Sequence, residues 1–316
     1  MYKRVAIAMS ASCVLMAFAN APAQQRDARE RLGDYPLGWD RSQLIASSSG
    51  SSLDDGTSSL RCATRPVSEA EKDLVDLLVG SELPQRDLTT LAGKTIIPVI
   101  FHIVRKKNVA FDVTDQQVGD QMAVLSAAFS SKGFRFELKE TIRHDDNRFA
   151  SKCLDLGVER SFKKKHAVDP ATTLNVYTCR PTASVLGYAW FPNDWTEADP
   201  MHGVVIHYAS MPGGTFARFN EGDTLTHEVG HYLGLYHTFQ GGCSGLGDRV
   251  DDTPAEGAPT EGCPDRKDSC PNVPRRDPTT NFMDYTDDRC MLRFTGGQKD
   301  RMLKQVSVFR PSLLLR

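Results

Sequence analysis

The sequence has no excess of charge of either sign: 38 Lys and Arg stand against 40 Asp and Glu. A balance this even gives no electrostatic footprint for nucleic acid, and no basic amphipathic stretch calls for a membrane surface. Beyond the N-terminal segment, no apolar run approaches the roughly 20 residues that cross a bilayer. No Asn-x-Ser/Thr triplet occurs, so N-glycosylation is not expected. No internal repeat is evident, which argues against solenoids and propellers. Histidine is sparse, at 8 residues in 316. Such a chain is expected to be soluble, with one large domain or two smaller ones, and probes of function fall on the places where scarce residues gather.

The N-terminus differs from the rest. Lys3 and Arg4 precede a largely apolar run from Val5 to Phe18, and "ANAPAQQ" offers Ala-x-Ala cleavage after Ala21 or Ala23. This pattern predicts a secretory signal peptide over residues 1–23 and a secreted, extracellular protein. Of the 8 cysteines, Cys13 would leave with the signal. Seven remain, so in an oxidising compartment six can pair and one is left over; spacing alone does not fix which.

Residues 24 to about 60 are polar, and "SQLIASSSGSSLDDGTSS" has too little apolar content to fold alone. Helical periodicity appears over Val67 to Leu83, with Leu74, Leu77, Leu78 and Leu83 apolar. "TIIPVIFHIVR" is dense in Ile and Val and predicts a strand at the start of the folded domain. "VTDQQVGDQMAVLSAAFSSKGF" predicts a helix stopped by Gly133; "FRFELKETI", "TTLNVYTC" and "HGVVIHYASM" predict strands. A further helix begins near Asp223, the expected N-cap, with Leu225, Val229 and Leu233 on its apolar side. From Gly241 to Cys290 the chain is rich in Gly, Pro and Asp, with 11 acidic against 6 basic residues and 4 cysteines. Such a loop needs cross-links or bound cations to hold it. "TGGQKDRMLKQVSVF" predicts a closing helix.

The scarce histidines gather in "LTHEVGHYLGLYH", Leu225 to His237. Residues four apart share a helix face, so His227 and His231 can bind one ion. Glu228 leans over the open side, where a carboxylate can take a proton from an attacking water. Gly234 can adopt the left-handed conformation that ends a helix, and the chain can then swing His237 back as a third ligand. Gly230 sits mid-helix at a cost of about 1 kcal/mol against alanine. Core histidines or a plain helix stop would explain single parts of this pattern. All five residues together occur by chance on the order of once in 10⁵ chains of this length, so the metal-site reading is preferred.

The His-Glu-x-x-His-x-x-Gly-x-x-His pattern resembles the metzincin clan of zinc endopeptidases, which also places a methionine turn downstream. "NFMDYTDDRC" supplies Met283, with Tyr285 two residues on. The resemblance implies that Met283 supports the site and that Tyr285 donates a hydrogen bond to the developing oxyanion. "GDRVDDTP", Gly247 to Pro254, is similar to the pappalysin family and its smaller ulilysin-like members, from about Lys94 to the C-terminus. That likeness implies an α/β fold: a twisted, mostly parallel mixed sheet with two main helices in an upper subdomain, over an irregular, disulfide-tied lower subdomain with a C-terminal helix. It also implies bridges Cys243–Cys270 and Cys263–Cys290. With those carried over, Cys153 and Cys179 remain to form a third, and Cys62 is left free.

Pappalysin-like zymogens carry an Arg-Cys-Gly-Thr segment similar to Arg61-Cys62-Ala63-Thr64 here, with Ala63 replacing the glycine. The likeness implies a cysteine switch in which the Cys62 thiolate takes the fourth zinc position in a latent form. The expected organisation is a signal peptide (1–23), a pro-segment (24–90) cut within Gln85 to Lys94, and a metzincin catalytic domain (91–316). The family likeness further implies structural calcium, with Asp248, Asp252 and Thr253 as candidate ligands. Substrate is expected to lie as an added strand along "GVVIHYASM". Some relatives place an acid near the methionine turn and cleave before Arg or Lys; Asp287 and Asp288 stand there, followed by Arg289.

The function expected is a zinc-dependent endopeptidase acting on protein or peptide substrates, monomeric, with no nucleic-acid or membrane partner. Two rival classes share part of the pattern. One is a catalytically silent metal-binding or adhesive module, which would not need Glu228; the other is a zinc hydrolase of non-peptide amides.

Overall fold

A computed structural model describes residues 61–82, 95–107, 112–181 and 185–314. The expected signal peptide, the polar stretch up to residue 60 and the expected cleavage region lie outside the described residues.

In chain order the elements are α1 (Glu69–Glu82), β1 (Thr95–Arg105), α2 (Asp115–Phe129), β2 (Phe134–Asp145), α3 (Asn147–Lys152), α4 (Leu156–His166), β3 (Leu174–Cys179), β4 (Gly187–Ala189), β5 (Val204–His207), α5 (Asp223–Tyr232) and α6 (Gly296–Phe309). The sheet runs β2-β1-β3-β5-β4. Every pairing is parallel except β4 with β5.

The sheet is covered on both faces, so its central strands are apolar throughout rather than alternating. Ile97, Val99, Phe101, Leu174, Val176, Val204 and Ile206 pack with α2, α5 and α6 in one core. Val104, Tyr177, Cys179 and Val205 pack with Phe149 and Phe162 of α3 and α4 in a second. The split follows the two-residue period of a strand. Cys153 and Cys179 are bonded, tying α3 to β3.

α2 starts on a capping box: Thr114 Oγ1 accepts from Gln117 N at 3.2 Å, and the Gln117 side chain reaches back to the Thr114 backbone. α6 starts the same way with Thr295 and Gln298. Gln298 also exchanges two hydrogen bonds with Asn281, at 2.9 and 3.0 Å, and Asn281 Oδ1 accepts from Met283 N. The cap of the last helix thus fixes the turn that carries the methionine.

Two expectations fail here. β5, within "GVVIHYASM", lies between β3 and β4 and has no free edge; the edge is β4, only three residues long. The N-cap of α5 is Gly222, at φ 103°, and Asp223 is already helical. A glycine has no capping side chain, and the role passes to a distant one: Asp288 Oδ2 accepts from Glu221 N (3.0 Å) and Asp223 N (3.4 Å). α3 and α4 were not expected either.

Candidate metal centre

α5 carries His227 and His231 on one face, both buried. It ends in a Schellman motif: Gly234 N donates to His231 O (2.9 Å), Leu235 N donates to Gly230 O (2.9 Å), and Gly234 takes φ 104°. A side chain at Gly234 would also strike Gln305 Cγ at 2.6 Å, so the corner excludes other residues twice over. Gly230 has a packing reason, because a Cβ there would stand 2.4 Å from Met283 Sδ.

The corner delivers His237. His231 Nε2 lies 3.1 Å from both His227 Nε2 and His237 Nε2. His227 Nδ1 faces Phe282 O at 2.6 Å, and His231 Nδ1 faces Leu235 O at 2.7 Å. A carbonyl only accepts, so each Nδ1 carries the proton and each Nε2 presents a bare lone pair. Burial keeps the rings neutral: it pushes His231 down to about 4 and holds His227 and His237 well below their ordinary value. Lone pairs 3.1 Å apart repel unless a cation sits among them. Zinc bound at about 2.0–2.1 Å would separate such nitrogens by roughly 3.3 Å, so the donor set fits that ion. The carbonyl partners on Nδ1 are the usual outer support of a metal-binding imidazole.

Glu228 is 1% exposed, and Gly187 opposite has only room for hydrogen: a Cβ there would meet Glu228 Cγ at 2.8 Å. Glu228 Oε2 accepts from Thr64 Oγ1 (3.1 Å) and from Cys62 Sγ (3.4 Å). Among the described residues Cys62 is the free cysteine, and it is buried. Its Sγ and one ring nitrogen of each of His227, His231 and His237 lie within 4.8 Å of one another. The Tyr285 ring stands 5.0 Å from that of His237 and 5.8 Å from that of His227. Burial raises its phenol well above the ordinary value, so it keeps its proton. Met283, fully buried, lies beneath α5 and accepts from Thr238 N through its carbonyl at 3.2 Å.

Residues 61–65 fill the cleft beside these groups. Leu186 N donates to Arg61 O (2.8 Å) and Ala63 N to Gly187 O (2.9 Å), so the segment pairs in parallel with the β4 edge. Ala63 needs no glycine, since the positive-φ residues other than glycine among those described are Asp169, Arg249 and Arg275. The Arg61 guanidinium stacks on Phe219 at 4.1 Å, donates to Thr286 O and stands 3.6 Å from Asp288 Oδ1. Arg65 is bonded to Glu71 and Asp194. The pairing of Arg61 with Asp288 escaped the sequence reading, which had only the acidity near the methionine turn as a signal. Arg289 does not enter; its side chain is 70% exposed.

Lower down, Cys243–Cys270 and Cys263–Cys290 are bonded. Of the calcium candidates, Asp248 and Thr253 are together: Asp248 Oδ1 accepts from Thr253 Oγ1 at 2.7 Å. Asp252 is elsewhere, accepting from Gly297 N at the start of α6.

A family profile described as pregnancy-associated plasma protein-A, Peptidase_M43, matches residues 157–307. An extracellular metalloprotease of Colletotrichum graminicola is 36% identical over 259 residues, covering 80% of this chain and 91% of its own length. The chain belongs to this pappalysin family. An extracellular metalloprotease 1 of Coccidioides posadasii is 40% identical over 222 residues, 68% of this chain and 78% of its own. Among solved structures, a Tannerella forsythia promirolysin mutant superposes with TM-score 0.67 at 27% identity, covering 78% of this chain and 92% of that one. Mature mirolysin in complex with a cleaved peptide gives 0.61 at 28% identity, covering 71% and 97%. Like other pappalysins, this protein is a zinc metalloendopeptidase with a mixed α/β metzincin fold.

Proposed function

We propose that the chain is the precursor of a secreted zinc endopeptidase, latent while Cys62 covers the metal centre. The observation that carries this reading is the convergence of Cys62 Sγ with the three imidazoles. Burial and the neighbouring Glu228 carboxylate push the Cys62 thiol well above its ordinary value, so a thiolate there requires a cation beside it. Residues 1–23 would be the signal peptide, 24–90 the pro-segment and 91–316 the catalytic domain. Two findings support this division. The relatives are named extracellular, and the pro-form of mirolysin covers more of this chain than the mature form, 78% against 71%.

In the mature enzyme His227, His231 and His237 would hold zinc, which supplies Lewis-acid polarisation and a water of lowered pKa. Glu228, freed of Cys62 and Thr64, accepts a proton from the attacking water and passes it to the leaving amine nitrogen. Tyr285 Oη donates to the oxygen on which charge develops. Substrate takes the β4 edge that residues 61–63 now occupy. The Arg61 guanidinium stands 3.6 Å from the buried Asp288 carboxylate, so the enzyme is expected to accept Arg or Lys there and to cleave before it. A calcium ion belongs to the same reading, at Asp248, whose Oδ2 is buried without a partner.

The test uses the full chain. Wild-type precursor should be inert toward casein until cut between residues 85 and 94, and then be silenced by zinc chelation and by Glu228→Ala. Cys62→Ala precursor should be active before cutting; if it is as latent as wild type, the switch is wrong. Cleaved peptides from a proteome digest should begin with Arg or Lys, and calcium chelation with zinc kept saturated should lower the melting temperature.

A further inference from the structure

Lys267 lies in the loop between Cys263 and Cys270, within the region that the two lower disulfides tie together. Its Nζ meets Ala258 O at 2.6 Å, Pro259 O at 3.0 Å, Thr260 Oγ1 at 3.0 Å, Glu256 Oε1 at 3.4 Å and Asp277 Oδ2 at 3.4 Å. An ammonium has three protons, yet five oxygens converge on it. Both carboxylate side chains are fully buried. The arrangement is that of an oxygen cage for a hard cation, with the cation supplied on a side chain.

Two short hydrogen-bond chains leave this cage for the active site. In the first, Glu256 Oε2 accepts from Thr238 Oγ1 at 2.7 Å, and Thr238 is covalently next to His237. In the second, Thr260 Oγ1 donates to Glu256 Oε1 at 2.6 Å while Thr260 N donates to Asp284 Oδ1 at 2.9 Å. Asp284 Oδ1 also accepts from Tyr285 N at 2.7 Å. Burial raises the proton affinity of both Glu256 and Asp284, the Asp284 charge raises that of Glu256 further, and Lys267 lowers both, so removing that positive charge leaves the buried carboxylates harder to ionise.

We infer that Lys267 is a positioning residue whose ammonium is the tethered cation of this cage, holding His237 through Glu256 and Thr238 and Tyr285 through Thr260 and Asp284. If the side chain is shortened, the cage becomes a binding site for a free monovalent cation of ammonium size. Access is open, because the Lys267 side chain is 26% exposed. The link to catalysis rests on the roles given above to His237 and Tyr285; the cation site does not.

The experiment compares matured wild type, Lys267→Ala and Lys267→Met, with ammonium chloride as probe and tetramethylammonium chloride as the ionic-strength control. Lys267→Ala should lose kcat by about tenfold with little change in KM, since the defect is misplacement of groups acting in the transition state. Ammonium should restore kcat and raise the melting temperature of that variant, and tetramethylammonium should do neither. Lys267→Met fills the space without the charge and should stay impaired in both salts. Unchanged kcat in Lys267→Ala overturns the inference, as does a kcat loss that ammonium leaves in place. A melting temperature that recovers while kcat does not also overturns the positioning role. Should Lys267→Ala fail to fold without ammonium, the recovery of folded protein with it, but not with tetramethylammonium, is the expected result; no recovery in either salt overturns the cage. Failure of the underlying site reading is separate: it would show as activity retained in Glu228→Ala with Lys267 intact.

Discussion

At the scale of the residue, Gly230 sets two effects against each other. Alanine would gain about 1 kcal/mol in helix propensity. Its methyl carbon would stand 2.4 Å from Met283 Sδ, an overlap that forces the thioether or the helix to move. Overpacking of a closed core costs about 1–3 kcal/mol, so the clash should win. Gly230→Ala is expected to lower stability in urea by roughly 1 kcal/mol or more, against the gain propensity alone would give. A more stable variant would show that Met283 yields freely. This pairing marks where legibility stops. His227, Glu228, His231, Gly234 and His237 were readable because helix pitch and one corner relate them within eleven positions. Gly230 was not, because its reason arrives from another turn of the chain. Arg61 was unreadable for the same cause: its partner Asp288 is set by tertiary packing.

At the scale of the element, β1 could be read from its Ile and Val, whereas α4 could not. α4 buries Glu159 and Lys163 where an apolar stripe would be expected, and pairs them at 2.8 Å. Lys163 Nζ donates to Met201 O, and Trp190 Nε1 donates to Glu159 Oε1. A helix whose inward face shares Val158 and Phe162 with two charged residues offers only a short hydrophobic period to detect. β4 escaped because three residues give no alternation to count. The same region holds a cluster of histidines across three elements. His102 Nδ1 lies 3.0 Å from His144 Nε2, His102 Nε2 faces Asn175 Oδ1, and the His144 ring stands 4.4 Å from that of His166. Burial pushes His102 and His144 down to about 4, with His166, Lys163 and Lys165 adding to it and Asp146 opposing. The unfolded chain takes these protons near 6.5, so it binds more protons than the folded state between there and 4. The contribution of this cluster to stability should therefore fall as pH drops through that window and be flat above it. For the fully buried His102 the loss is on the order of 3 kcal/mol. Melting temperature against pH is the measurement, and His102→Gln should lose less stability than wild type between pH 6.5 and 4; the same loss in both would contradict this contribution.

At the scale of the whole molecule, the segment from Arg61 to α1 crosses the cleft and binds both sides of it. Arg61 reaches Asp288 below, Arg65 reaches Asp194 above, and α1 lies on α6. Arg249, only 6% exposed, holds Glu69, Asp73 and Asp76 of α1, and Arg301 shares Asp76. Asp288 belongs to two of these arrangements at once. It caps α5 from a distance, and it is the buried partner of Arg61. Withdrawing Arg61 would leave that carboxylate without its cation at the head of the helix that carries His227 and His231, and burial already makes its charge costly. Folding and occupancy of the cleft are then thermodynamically linked: whatever replaces the guanidinium also secures the helix. Under the proposed maturation, free arginine, or a peptide that begins with it, is expected to raise the melting temperature of the cut enzyme while leaving that of the full chain unmoved. The product of one cleavage would thus act, until it departs, as a stabilising ligand of the enzyme that made it.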